Sequence, residues 1–146
     1  MILSKSFGYA LRGTLYVAVM KECERKVQLG EIAERLAVPR HFLGKVMKRL
    51  VKEGVLTSVK GPYGGFCIND NTLQTKLLRL TEISGDSALF DSCVLRFRKC
   101  DELHPCPMHC EVDVLRKKWI ELLTNTTLGD LLRNDQPDLI KSIAAI

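Results

Sequence analysis

Four cysteines fall within 18 residues near the middle of this chain, and they carry most of its capacity for chemistry. They are Cys93, Cys100, Cys106 and Cys110, with His109 among them. Thiolates are soft ligands that favour zinc, copper(I) and iron–sulfur clusters. Zinc sites normally bring their cysteines in close pairs, and only Cys106 and Cys110 approach such a spacing. Three spread cysteines suit an iron–sulfur cluster, because its larger size takes ligands from a wider span of chain.

The cysteines have three other interpretations, which stay open. They can form a thiol–disulfide switch without metal, hold a structural zinc, or be chemically inert. The remaining pair, Cys23 and Cys67, we expect to pack as small hydrophobic groups. The sequence has no apolar run long enough to span a bilayer and no secretory signal at its N-terminus. We therefore expect a cytoplasmic protein without membrane association, in which the thiols stay reduced.

Positive charge is concentrated in one segment that precedes the cysteines. The net charge of the 146-residue chain is +5. Residues 40–60 carry six basic side chains and one acid, so this segment alone has the net charge of the whole chain. A focused basic patch is an electrostatic footprint for a polyanion such as nucleic acid.

The spacing of apolar residues predicts a mainly α protein with one small β-hairpin. Helices are expected over 7–22, 29–36, 39–53, 76–84, 111–124 and 128–133, and strands over 55–59 and 66–68. The third helix has one apolar stripe that we expect to be buried: Phe42, Leu43, Val46, Met47, Leu50 and Val51. Residues 86–110 have no period and are expected to form a loop, and residues 136–146 a weakly ordered tail.

A helix–turn–helix followed at once by a hairpin is the winged helix-turn-helix arrangement. An α-helix fits the major groove of DNA, and side chains near its N-terminus reach base edges. The glycine-rich hairpin tip can approach a minor groove. We expect DNA contacts from the outer face of the third helix and from the tip: Arg40, His41, Gly44, Lys45, Lys48, Arg49, Lys60, Gly61 and Tyr63. RNA is less favoured, because no aromatic stacking platform on a sheet is evident.

A series of short motifs is spread over nearly the whole chain. They are Leu3-Ser4, Tyr9-Ala10-Leu11-Arg12, Ile32-Ala33-Glu34-Arg35, Val38-Pro39, Phe42-Leu43, Leu50, Gly54, Gly61-Pro62-Tyr63-Gly64-Gly65-Phe66 and Thr127-Leu128-Gly129-Asp130-Leu131-Leu132. In order and spacing they resemble the Rrf-type family of winged-helix regulators, which includes IscR and NsrR. The resemblance implies a homodimer on a pseudo-palindromic operator. It also implies that the helix over 111–124 packs against its partner from the second subunit. Domains are then expected over 1–70 for DNA binding, 71–135 for the linker helix, loop and dimerisation helix, and 136–146 for the tail.

The same resemblance implies a ligand set for a cluster. Cluster-binding members carry three cysteines in this loop, which Cys93, Cys100 and Cys106 match with one extra residue between the first two. The fourth ligand of the IscR-like group is a histidine three residues after the third cysteine, and His109 stands there. The NsrR-like group uses an aspartate where this chain has Gly8. This favours a 2Fe–2S cluster on the three cysteines and the histidine.

Two other side chains compete for the fourth ligand position. Cys110 would make the site all-cysteine and a 4Fe–4S cluster more plausible, and His104 is a weaker candidate. The predicted function is a sequence-specific DNA-binding regulator whose operator affinity responds to the cluster, thiol redox state or nitric oxide. The alternative is a cluster-free regulator of the same fold, controlled by a partner protein, a small ligand or cysteine oxidation. No Cys-x-x-Cys, glycine-rich phosphate loop or Ser/His/Asp arrangement favours an enzyme.

Overall fold

The computed structural model describes residues 3–21, 26–95, 98–133 and 139–144, so Cys23 lies outside the described residues. Along the chain, the elements are α1 (Lys5–Met20), α2 (Leu29–Leu36), α3 (Arg40–Lys52), β1 (Leu56–Val59), β2 (Gly65–Ile68), α4 (Leu77–Ser84), a short 3-10 helix (Ser87–Phe90), α5 (His109–Asn125), α6 (Leu128–Arg133) and α7 (Leu139–Ile143). The helix–turn–helix and its hairpin are where the sequence predicts them.

Local chemistry explains where the helices start and stop. The Ser4 hydroxyl caps α1 by accepting the Phe7 N–H at 3.2 Å. Pro39 is the N-cap of α3 rather than a residue of its first turn, because its extended backbone ends the turn that follows α2. Gly54 and Gly85, with φ of 77° and 84°, follow α3 and α4 in the left-handed conformation that ends helices.

The hydrophobic core lies between α1 and the helices around it. α1 contacts α2, α3 and α4, as well as β2. The largest fully buried side chains include Tyr16, Ile32, Leu36, Leu43, Met47 and Leu50. The Tyr16 hydroxyl, buried with its ring, donates to Glu31 Oε1 at 2.9 Å, which satisfies its one polar group. Packing against this core fixes the orientation of α3. The side of α3 that faces away from the core is exposed to solvent.

The buried stripe of α3 is rotated from the one that the sequence predicts. Leu43 is fully buried as expected, but Phe42 is 56% exposed, so the prediction that it belongs to the core is wrong. Gly44 was expected on the outer face and is instead buried. A Cβ at Gly44 would lie 3.2 Å from Leu29 Cδ2, so α2 packs directly on this glycine. The close approach of α2 turns α3 so that Gly44 faces inward and Phe42 faces outward.

The wing is the antiparallel hairpin of β1 and β2 with the loop between them. Its register pairs Leu56 with Ile68 and Val59 with Gly65. Val27 extends the sheet, because its N–H and carbonyl both bond to Phe66, at 2.9 and 2.7 Å. Gly65 has φ of 143°, and a Cβ there would lie 2.6 Å from the Val27 oxygen. Only glycine fits this crossing of two backbones.

The C-terminal part contains more regular structure than the sequence predicts. α5 starts at His109, two residues earlier than expected, and contacts α4. Thr127 and Asp130 form the reciprocal capping box of α6, at 2.9 and 3.1 Å. The prediction of a weakly ordered tail is wrong for residues 139–143, which form α7 with Ile143 buried. None of the helices in the described ranges has the length and hydropathy of a membrane span.

Candidate DNA-binding surface and cysteine loop

The exposed side of α3 is basic along its whole length. We call its six polar residues the basic surface: Arg40, His41, Lys45, Lys48, Arg49 and Lys52, all of them exposed. No acidic residue occurs between positions 40 and 52. A solvated helix face normally mixes signs, so a face of one sign is suited to contact with phosphates. Apart from Gly44, the structure places every expected DNA contact of α3 on this side.

Arg40 lies at the edge of the basic surface that is nearest α2, and Gly44 faces α2 directly. The Arg40 guanidinium reaches over the start of α2. Its Nη1 lies 3.8 Å from the point that a Cβ atom on Gly30 would occupy. Gly44 can contribute only backbone, and α2 covers it. It therefore offers no side chain to a base.

The tip of the wing is exposed from Lys60 to Tyr63. Lys60, Gly61 and Pro62 are exposed, and 92% of Tyr63 is accessible. The Gly64 N–H bonds to the Gly61 oxygen at 3.0 Å and closes the turn. These contacts present Lys60 and Tyr63 at the end of a short, constrained hairpin that directly follows the basic surface in sequence.

The cysteine loop, residues 86–110, folds back on itself. A bridge between Ser92 and Lys99 is flanked by two backbone bonds, from Cys93 N–H to the Arg98 oxygen at 3.1 Å and from Cys100 N–H to the Asp91 oxygen at 2.9 Å. Cys93 is buried, with 4% of its surface accessible. Cys100 is half-buried on the returning strand of the chain. The bridge thus holds the first two candidate ligands near one another in the fold of the loop.

The other candidate ligands lie at the start of α5. His109 is its first residue, and its N–H donates to the Cys106 oxygen at 2.9 Å. The Cys100 Sγ lies 3.2 Å from His109 Nδ1, which brings two of the four expected ligands into contact. Cys106 is half-buried and Cys110 is exposed. Cys110 thus lies in the first turn of α5 with His109, and Cys106 lies three residues before the helix.

The donor set suits an iron–sulfur cluster in its chemistry, since it offers three thiols and an imidazole. Within the described ranges, however, no three of the histidine, cysteine and carboxylate side chains are gathered closely enough to hold a metal. Of the four expected ligands, only Cys100 and His109 have side chains shown in contact, and Cys93 and Cys106 lie on adjoining segments. Metal sites of this kind commonly form only as the metal binds.

His104 has a different partner. Its Nδ1 lies 2.9 Å from Asp101 Oδ2, and both side chains are substantially exposed. That hydrogen bond, with a second from the Leu103 N–H, lowers the pKa of Asp101. His104 is thus engaged at the surface tip of the loop, away from the contact between Cys100 and His109.

One buried carboxylate ties the cysteine loop to α1. Asp86 is 5% exposed, and its Oδ2 accepts from the Ser4 N–H and hydroxyl at 3.2 and 2.8 Å and from the Ser84 hydroxyl at 2.9 Å. Ser4 is also the N-cap of α1. At its middle the loop is held to α5, because Arg116 Nη2 donates to the Ser92 oxygen at 2.8 Å. The sequence gives no sign of this role of Asp86, because a polar residue after a helix-ending glycine is common in loops.

α5 carries an exposed apolar face beside the side that packs on the core. Leu123 is buried, whereas Leu115 and Leu122 are 66% and 51% exposed. Trp119 lies between these two leucines at helical spacing and is half-buried. Its indole Nε1 is buried and has no hydrogen-bond acceptor in the described part of the chain. We call Leu115, Trp119 and Leu122 the apolar face of α5.

Comparison with known proteins gives the family. The model of the Rrf2 family, described as iron-dependent transcriptional regulators, matches residues 3–134. A protein of Aquifex aeolicus named as an HTH-type transcriptional regulator is 35% identical over 95% of this chain and 96% of its own length. The transcriptional regulator IscR of Pectobacterium atrosepticum is 28% identical over 93% of this chain and 82% of its own length.

Solved structures share the fold. CymR, the global cysteine regulator of B. subtilis, superposes with a TM-score of 0.73 at 21% identity and covers 93% of this chain and 99% of its own. IscR of T. potens gives a TM-score of 0.69 at 20% identity and covers 94% of this chain and 90% of its own. The winged-helix fold predicted from the sequence is confirmed, and so is the expectation that the protein is not an enzyme. The chain belongs to the Rrf2 family of transcription regulators.

Proposed function

We propose that this regulator binds a specific DNA operator through the basic surface and the wing, with an affinity that responds to an iron–sulfur cluster in the cysteine loop. The observation that carries the proposal is the exposed side of α3, which is rich in cations and contains no acid, followed in sequence by an exposed wing tip. The first two turns of α3 offer Arg40, His41 and Lys45 to bases and nearby phosphates, and the later turns offer Lys48 and Arg49 to phosphates. Lys60, Gly61 and Tyr63 of the wing are then available to an adjacent minor groove.

The cluster ligands in this proposal are Cys93, Cys100, Cys106 and His109. The contact of 3.2 Å between Cys100 Sγ and His109 Nδ1 supports the histidine as fourth ligand. Cys110, one residue on, is exposed and remains the alternative. The family's description as iron-dependent supports iron as the metal. A bound cluster, in the 2Fe–2S form, supplies redox chemistry whose potential depends on its ligands and exposure.

Changes in the cysteine loop can reach the DNA-binding surface through two attachments. The loop begins at Asp86, which holds the Ser4 cap of α1, and α1 packs directly on α3. The loop ends in α5, whose apolar face we propose as the dimer interface. Ligand binding by the loop orders its backbone and so changes the placement of α1 and α5. Because two half-sites on DNA demand a fixed spacing, a small displacement between subunits alters operator affinity.

The cluster-free alternative rests on the same residues. The described side chains do not gather three ligands, and the Cys100 thiol in contact with an imidazole is a plausible centre for oxidation without metal. In either case the protein acts on DNA, so we propose a cytoplasmic location. We also propose that it is a homodimer.

Iron and sulfide content after anaerobic reconstitution tests the ligand set. We expect about two irons and two sulfides per chain, with the absorption of a brown protein, for the wild type. His109→Ala should lose most of the iron or shift the spectrum, because it removes a ligand, whereas Cys110→Ala should match the wild type. Cys67→Ala is the matched control, since this cysteine lies in β2, outside the cysteine loop.

Three outcomes separate the alternatives. If the reconstituted wild-type protein contains no iron or sulfide, the cluster is refuted and the cluster-free regulator is the function that remains. Loss of iron in Cys110→Ala but not in His109→Ala would assign the fourth position to the cysteine. Binding of zinc with equal stoichiometry and no sulfide would indicate a structural metal.

A further inference from the structure

Phe42 is an apolar side chain exposed among cations. It lies in the first turn of α3, and 56% of it is accessible. Its neighbour Leu43 is fully buried, so α3 packs on the core through a different side and the phenyl ring is not part of that packing. Lys45 and Arg49 follow it at three and seven residues, which places all three along one exposed edge of α3. Single exposed apolar residues are common, but this one stands where a recognition helix enters the groove.

The geometry of α3 limits what else can contact a base there. Gly44, at the centre of the first two turns, has no side chain and is covered by Leu29. The exposed side chains of these turns are Arg40, His41, Phe42 and Lys45, and Phe42 is the one apolar group among them. Cationic and imidazole groups bind phosphates and the acceptor atoms of guanine. An apolar side chain in the major groove instead contacts the thymine methyl group.

The ring of Phe42 is also held in place. The His41 ring packs against it edge to face, with the ring centroids 5.7 Å apart and an angle of 67° between the planes. An aromatic pair in this geometry is favourable and restricts the orientation of both rings. The phenyl group is therefore oriented before DNA arrives, which reduces the entropy lost on binding.

We propose that Phe42 is a specificity-determining residue that contacts the 5-methyl group of one thymine in each operator half-site. The proposal rests on the proposed DNA binding by α3 and adds the base that is read. Because burying a methyl group gives only a modest gain, the discrimination is expected to be about fourfold per half-site and about 15-fold when both half-sites are changed.

Replacement of a thymine base by uracil tests this directly, because the two bases differ only in the 5-methyl group. The probe is a duplex selected from a random pool by the wild-type protein, and its thymines are replaced one symmetric pair at a time. We expect one pair whose replacement weakens wild-type binding about 15-fold. Phe42→Ala should bind the thymine and uracil duplexes at that pair equally, while Phe42→Leu, which keeps an apolar group, should retain part of the difference.

The controls separate this proposal from DNA binding itself. Val114→Ala removes another exposed apolar side chain, on α5 and away from the proposed DNA contacts, and should keep the full response at that pair. If a specific duplex is selected but no pair responds, or if Phe42→Ala responds as the wild type does, the role of Phe42 is refuted while the proposed function stands. If the protein selects no specific sequence, the proposed function fails as well. Circular dichroism of each variant checks that the fold is retained.

Discussion

The double variant Lys45→Glu with Lys48→Glu is expected to lose operator affinity by about 100-fold at physiological salt. Both side chains are exposed on the middle of α3, so the change leaves the core untouched. The new glutamates stand four residues before Arg49 and Lys52, a spacing that supports a helix. Loss of binding would therefore come from repulsion of phosphates and not from unfolding.

Salt dependence makes this prediction specific. Each lost phosphate contact removes about 0.9 from the slope of log affinity against log salt, so the slope should become shallower by about two. The matched control carries the same charge change on the exposed Arg133 and Lys141, in α6 and α7. Fluorescence anisotropy should find the control within about threefold of wild type. Equal losses in the two double variants would mean that net charge, and not the basic surface, governs binding.

The second large effect concerns the apolar face of α5. Leu115→Glu is expected to make the protein monomeric and to weaken binding to a two-half-site operator by about 100-fold or more, because linked half-sites gain affinity from simultaneous contact. Leu115 is 66% exposed and belongs to the apolar face of α5. A second subunit packed on this face would remove the leucine side chain from water.

Val114 offers a matched control on the same helix. It is 52% exposed, but it lies one residue away and so points about 100° around the helix from Leu115. Val114→Glu should remain dimeric and bind the operator as the wild type does. Light scattering after size-exclusion chromatography measures the mass of each variant. A dimeric Leu115→Glu protein would refute this face as the interface, as would dissociation of the two variants to the same extent.

Sequence reasoning located the elements well where local chemistry decides. α2 has the predicted bounds, Gly54 and Gly85 end their helices, and the Thr127 cap begins α6. These features depend only on a few neighbouring residues, so they can be predicted from one sequence. The wing follows from the same logic, because Gly61 and Gly65 take the positive φ values that its turn requires.

What the sequence could not predict depends on contacts between distant segments. Apolar periodicity gives the width of a buried stripe but not its angle, so Phe42 and Gly44 were placed on the wrong sides of α3. Asp86 and Ser4 are 82 positions apart, and nothing local indicates their hydrogen bonds. α7 was missed because its order comes from packing against α1, where the Arg12 Nε donates to the Ile143 oxygen.

For the site, residue type was informative and arrangement was not. The cysteines stood out by composition and spacing, and the family resemblance implied His109 as the fourth ligand. Only the structure places Cys100 beside His109 and starts α5 at that histidine. The cation-rich side of α3 was evident from charge alone. The proposed base contact of Phe42 followed only once the orientation of the helix was known.

The central claim is that the state of the cysteine loop sets operator affinity. It is tested most directly by measuring, under anaerobic conditions, the dissociation constant of one preparation on its selected operator before and after the cluster is removed. Coupling through Asp86 and α5 predicts that the two constants differ by at least about fivefold, the lower bound typical of coupled sites. Identical constants, with the cluster shown to be present in the first sample and absent from the second, would contradict it.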